Sequence, residues 1–132
     1  MPARPDELAT HSCIALKEND EDVTLWRFVP TGGGRPISIR IQPVLATNDG
    51  GVARAWALAG MGIVVRSEWD VADDIRSNRL VRVLRDWRFA PADVVALIRA
   101  RQGRSARTTQ FVKQLHAALK PIPWRSVSGF TN

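Results

Sequence analysis

The chain has one cysteine, Cys13, and two histidines, His11 and His116, among its 132 residues. A single thiol excludes an internal disulfide framework. The histidines stand far apart, without Cys or acid at ligand spacing, and give no metal-site pattern. No stretch approaches the ~20 uninterrupted apolar residues of a membrane span. The leading Met-Pro-Ala-Arg-Pro-Asp-Glu lacks the apolar core of a signal peptide. Acids are missing after Asp93, where Arg99, Arg101, Arg104, Arg107, Lys113, Lys120 and Arg125 follow. What is present is 45% apolar and 24% charged residues, the balance of a globular protein rather than a disordered one. The expectation is a reduced, soluble, cytoplasmic chain of one ordinary domain's length.

The net charge of +6 is unevenly placed. Residues 1–66 carry seven Lys/Arg and seven Asp/Glu, whereas residues 67–132 carry twelve against six. The whole excess therefore lies in the second half. A basic end of this kind attracts nucleic acid, an acidic partner or a bound anion, or is simply a solvated helix face with a tail.

Periodicity divides the chain into short elements. Cys13–Lys17 reads as a buried strand after a polar lead-in, with Glu18–Asp22 as a loop. Leu25–Val29 and Ile37–Ile41 flank Pro30–Pro36, whose Gly32, Gly33 and Gly34 permit positive φ, so this region predicts a hairpin. No Gly-Lys-Ser/Thr follows the glycines and the next segment has strand period, which excludes a phosphate loop. Val44–Ala46 is a further extended segment. Thr47, Asn48 and Asp49 are capping side chains before a helix over Gly50–Gly60, with Val52, Trp56 and Ala59 on one face. Ile63–Val65 is a strand, and Ser67 with Asp70 has capping-box spacing for a helix through Ile75, closed by Ser77-Asn78. Leu80–Leu84 and Val94–Ile98 are predicted strands, with Trp87 and Phe89 on a crossing segment between them. Phe111, Val112, Leu115, Ala118 and Leu119 predict an amphipathic helix from about Ser105, and Lys120–Trp124 begins an extended tail. Strand–helix alternation behind a hairpin indicates an α/β fold.

One string is more specific than these patterns. Asn48-Asp49-Gly50, Ala57-Leu58-Ala59-Gly60-Met61-Gly62-Ile63, Glu68-Trp69-Asp70-Val71-Ala72-Asp73-Asp74-Ile75 and Arg79–Trp87 occur in order. Together they resemble the effector-binding domain of LysR-type transcriptional regulators. Pro5–Leu8, His11–Ile14 and Trp26-Arg27-Phe28 agree with the same family, so the resemblance covers roughly residues 5–120. It implies a type 2 periplasmic-binding-protein-like fold, in which two α/β lobes enclose a small effector. Residues 5–88 would form lobe two with its hairpin. Residues 89–120 would be the return strand and helix of an incomplete lobe one, and residues 121–132 a tail. A winged helix-turn-helix and part of lobe one are expected to be lacking. Arg66-Ser67 departs from the family, which usually has Leu-Pro there, and Ala96 and Leu97 stand where aromatic residues are frequent.

The candidate effector site is Ala46, Thr47 and Asn48, before a helix N-terminus whose free N–H groups and macrodipole favour a carboxylate or polar group. In the family this segment faces the cleft, as does the loop after the first strand, which adds Leu16 and Lys17. Arg66 would select an anionic effector, or would simply reach solvent. Thr, Asn and Asp are equally what an ordinary cap looks like, and Asp49 would repel an anion. Two or three neutral hydrogen bonds at about 1 kcal/mol each fall short of the ~8 kcal/mol of a micromolar complex. The chain alone is therefore expected to bind a small-molecule effector weakly, the missing lobe supplying the other wall.

No catalytic set, cofactor motif or metal site emerges, so an enzyme is not expected. Cys13 reads as a core residue rather than a redox sensor. Trp26, Trp56 and Trp69 fit core faces, and Trp124 lies in the Pro-rich tail. The function expected is the regulatory, effector-binding part of a LysR-type regulator that also mediates subunit contacts. The alternative is a stand-alone dimerising module, because the apolar faces of Val94–Ile98 and Phe111–Leu119 would lack lobe one and need a partner. A homodimer follows in either case, with DNA reached only through the winged helix and no membrane contact.

Overall fold

The computed structural model describes residues 1–17, 22–89 and 105–125. The chain divides into two compact units, Met1–Ala90 and Pro91–Asn132. The predicted strand Val94–Ile98 and the loop residues 18–21 lie outside the described residues.

The first unit holds two three-stranded sheets. Strand β1 (Cys13–Leu16) is central in a parallel sheet between β4 (Pro43–Thr47) and β5 (Ile63–Val64). A central parallel strand is covered on both faces, which explains the continuous Cys13-Ile14-Ala15-Leu16 run, whose first three residues are fully buried. The sheet continues through helix α1 (Gly50–Leu58), which joins β4 to β5 and packs on all three strands. The predicted hairpin is β2 (Leu25–Pro30) antiparallel to β3 (Ile37–Arg40), with Leu25 opposite Arg40 and Phe28 opposite Ile37. Gly33 and Gly34 take positive φ in its turn.

Trp87 and Phe89 belong to a third hairpin-sheet strand, β6 (Trp87–Phe89), antiparallel to β2 with Phe28 opposite Phe89. Trp26, Phe28 and Phe89 meet edge to face, at centroid distances of 4.8–6.5 Å. These rings pack with Leu8, Cys13, Ala15, Ile41 and Leu84 in one core that spans both sheets. Burial pushes the Cys13 thiol pKa up, as its reading as a core residue requires.

Several local expectations are corrected. Leu80–Leu84 is not a strand: Val81 is exposed, and Leu84 adopts φ 52° at the start of a turn closed by Trp87 N–H on its carbonyl. That conformation buries Leu84 but cannot extend a ladder. On α1 the buried residue is Ala53, while Val52 is exposed and Trp56 half-buried. Helix α2 (Glu68–Arg76) starts at Ser67, but no capping box forms, because the Ser67 hydroxyl makes no cap bond and the Asp70 carboxylate turns to Arg66. Trp69 is 57% exposed rather than a core residue.

In the second unit, helix α3 (Ala106–Ala118) begins where expected, its first turn capped by the Ser105 hydroxyl, which accepts from Thr108 N–H. The segment after it is not simply extended: Pro123–Arg125 forms a 3-10 turn. None of the helices among the described residues is long and apolar enough to cross a membrane.

Candidate functional site

The parallel ladder determines which candidates meet. Ala15 is opposite Ala46 and Leu16 opposite Thr47, and Lys17 N–H donates to Thr47 C=O at 2.7 Å. Leu16 and Lys17 are thereby brought beside Ala46, Thr47 and Asn48 at the carboxyl edge of the sheet, where open α/β sheets place their ligands. Lys17, Ala46 and Asn48 are exposed, and Leu16 and Thr47 half-buried.

Hydrogen bonding shows what this edge has left to offer. Thr47 Oγ1 accepts from Asp49 N–H at 3.1 Å, which keeps its own proton for an incoming acceptor. Asp49 is the N-cap of α1, and its carboxylate accepts from Gly51 N–H at 2.8 Å and Val52 N–H at 3.1 Å. The negative carboxylate thus takes two of the N–H groups that a carboxylate ligand would use. What remains is a hydroxyl, an amide and an ammonium group, suited to holding a polar molecule in orientation.

Arg66, after β5, reaches the same helix end. Its Nε donates to Asp70 Oδ2 at 2.8 Å, and its side chain is only 14% exposed. Its guanidinium lies so close over Gly50 that a Cβ there would fall 2.6 Å from Nη1. A cation at the positive pole of a helix is unfavourable by itself. Asp70, one turn further along α2, offsets it. The Arg66–Asp70 spacing of four is visible in the sequence, whereas the room supplied by Gly50 is not.

A second ionic cluster escaped sequence reading. Asp74, on α2, is fully buried, and Arg54 from α1 meets its Oδ2 through both Nε and Nη2 at 2.6 Å. Arg79 Nη2 lies 2.6 Å from Oδ1, close enough for an ion pair but out of line for a hydrogen bond. The cluster ties α1 to α2. Its only sequence signal was the Asp73-Asp74 doublet, of which Asp73 faces outward to Arg76. Among the described residues there is no group of three His, Cys, Asp or Glu able to hold a metal ion.

Comparison with known proteins identifies the family of the chain. The family described as "LysR substrate binding domain" matches residues 1–120. The HTH-type transcriptional regulator DmlR of Escherichia coli (strain K12) is 33% identical over 123 residues, which are 91% of this chain and 39% of that protein. The HTH-type transcriptional activator TtdR of the same strain is 34% identical over 117 residues, 89% of this chain and 37% of that protein. The chain thus spans less than half the length of these regulators. The regulatory domain of AphB in Vibrio vulnificus superposes with a TM-score of 0.71 at 20% identity, over 89% of this chain and 57% of that one. The last likeness shows a shared α/β fold of the periplasmic-binding-protein type. With the family matched over nearly its whole length, this chain belongs to the LysR substrate-binding-domain family.

Proposed function

We propose that the chain is the effector-sensing part of a LysR-type transcriptional regulator, with residues 5–88 as lobe two and residues 89–120 returning toward lobe one. The observation that supports this reading is the Lys17–Thr47 backbone bond with its ladder, which gathers two separate sequence segments at one carboxyl edge. In this reading Thr47 and Asn48 orient a small polar effector, Leu16 and Ala46 give apolar contact, and Lys17 draws anionic groups. Arg66 biases the site toward an anion by displacement of Asp70. The regulator works in the cytoplasm, and sequence-specific DNA recognition belongs to a winged helix.

Titration with acetate and succinate against their neutral amides, followed by backbone amide NMR, tests the site. The acids are expected to shift residues 16–17 and 46–48 with weak, millimolar-range affinity, on the order of 4 kcal/mol. Thr47→Val should remove the response while leaving the fold intact. Equal response to the amides, or shifts confined to other residues, contradicts the assignment.

A second reading, subunit contact through α3, is favoured by one observation. This helix buries no residue, and Phe111 and Leu115, one turn apart, are 64% and 38% exposed. Apolar side chains stacked on one helix face in this way suit a second copy of the chain.

A further inference from the structure

Charge within the first unit divides by sheet. The three strands of the hairpin sheet carry Arg27, Arg40 and Arg88 and no acid. Their flanking segments hold Arg35, Arg82 and Arg85 against Asp22 and Asp86, with Glu18, Asp20 and Glu21 preceding Asp22 in the sequence and Arg79 engaged by Asp74 of α2. Residues 42–78, which hold α1 and α2, carry three arginines against five acids. The charge on the strands of the hairpin sheet is therefore wholly positive.

Register places three of these arginines in a line. Strand β2 alternates, with Trp26 and Phe28 inward and Leu25 and Arg27 outward. Leu25 is opposite Arg40 on β3, and Val29 is opposite Arg88 on β6. Arg40, Arg27 and Arg88 consequently run diagonally across the outer face, one strand and two residues apart at each step, roughly 7–8 Å between neighbours. All three are exposed. Arg40 is partly compensated: its Nη1 meets Asp22 Oδ2 at 2.7 Å and Thr24 Oγ1 at 2.9 Å. The Thr24 hydroxyl and then Arg40 hold Asp22 ionised, its pKa lowered to about 2. Arg27 and Arg88 face no carboxylate among the described residues.

We propose that this outer face is a docking surface for the phosphate backbone of duplex DNA. It rests on the regulator reading only for the nearness of DNA, and it departs from the expectation that DNA is reached through a winged helix alone. Evenly spaced single arginines match a repeating row of phosphates, each guanidinium able to donate two hydrogen bonds to one anion. An acidic protein partner is less well matched. Protein interfaces centre on an apolar core, whereas Leu25 is the only large apolar side chain exposed on the three strands. The contact would be independent of base sequence, because nothing on the face is built to read a groove edge.

Anisotropy of a short fluorescent duplex of arbitrary sequence, measured against salt with the full chain, tests this. Each phosphate contact contributes about 0.9 to the slope of log affinity on log salt. Over about a fourfold rise in salt, the wild-type chain should lose about twelvefold more affinity than R27Q/R88Q, which lacks two contacts. R27K/R88K should retain the wild-type slope, and R107S/K113S should not reproduce the loss seen in R27Q/R88Q. As a measurement independent of any variant's folding, the duplex should shift the amides of β2, β3 and β6. An unchanged slope in R27Q/R88Q, shifts confined to α3, no binding at low salt, or equal displacement by poly-glutamate would each overturn the proposal. The effector titration reads residues 16–17 and 46–48 instead, so failure of one reading leaves the other measurable.

Discussion

Gly50 and Gly62 both stand where a Cβ would collide, but with different kinds of atom. At Gly62 the added carbon would fall 2.8 Å from the Ser12 backbone oxygen, which accepts from Ile63 N–H and joins β1 to β5. Backbone in a ladder cannot step aside. Gly62→Ala is therefore expected to destabilise by about 1–3 kcal/mol, as overpacking does. At Gly50 the collision is with the tip of Arg66, which can swing into solvent. Gly50→Ala should break the Arg66–Asp70 contact yet cost less than Gly62→Ala, because a side chain rather than the backbone gives way and helix propensity improves. Urea denaturation of the two variants checks the contrast, and equal costs would contradict it. The residue-level part of the site was legible only where the chemistry is local. Asp49 was visible as a cap because its bonds reach two and three residues ahead. Arg66 was visible as a family departure, but its seat over Gly50 depends on how β5 returns beside α1, which no local pattern encodes.

At the scale of elements, the helix ends explain much of what was readable. After α1, Gly60 takes φ 75°, with Gly60 N–H on Ala57 C=O and Met61 N–H on Trp56 C=O. After α2, Asn78 takes φ 57° and the same pair of bonds forms, to Ile75 and Asp74. Both are Schellman ends, built from the residue types that tolerate a left-handed backbone. The strand predicted over Leu80–Leu84 failed for a matching reason. Apolar content alone does not distinguish a strand from a connection that drops one side chain into the core. Trp69 misled likewise, its aromatic character suggesting burial on a short helix whose inner face is Ala72 and Asp74. That inner face carries its own prediction. Arg54→Ala would strip a fully buried carboxylate of its aligned partner and leave only Arg79, so a loss of about 3 kcal/mol is expected. Asp74→Asn should cost less, since it removes the charge together with the need for a cation. Chemical denaturation in which Arg54→Ala loses under about 1 kcal/mol would remove the case for the clamp.

For the whole molecule, the division of charge and of apolar surface separates two kinds of contact. The polar carboxyl edge and the arginine face belong to the first unit, and the exposed helix α3 to the second. The sequence showed α3 well, because its spacing and Ser105 cap are local, but it could not show that Phe111 and Leu115 are exposed. The energetics of that pair set how tight self-association should be. Burying one Phe and one Leu from each of two copies returns roughly 6–12 kcal/mol in all, at about 1.5–3 kcal/mol per side chain. Lost translational and rotational freedom costs about 4–15 kcal/mol. The gain exceeds the loss by about 8 kcal/mol at most, so a dimer through α3 alone should be no tighter than micromolar. Light scattering across a concentration series should show mass rising toward that of two chains, and F111S/L115S should hold the chain at one. Because Phe111 and Leu115 are exposed, this double variant should keep the helicity of the wild type. A chain that stays monomeric at every concentration, or a variant that still dimerises, would move the subunit contact away from α3.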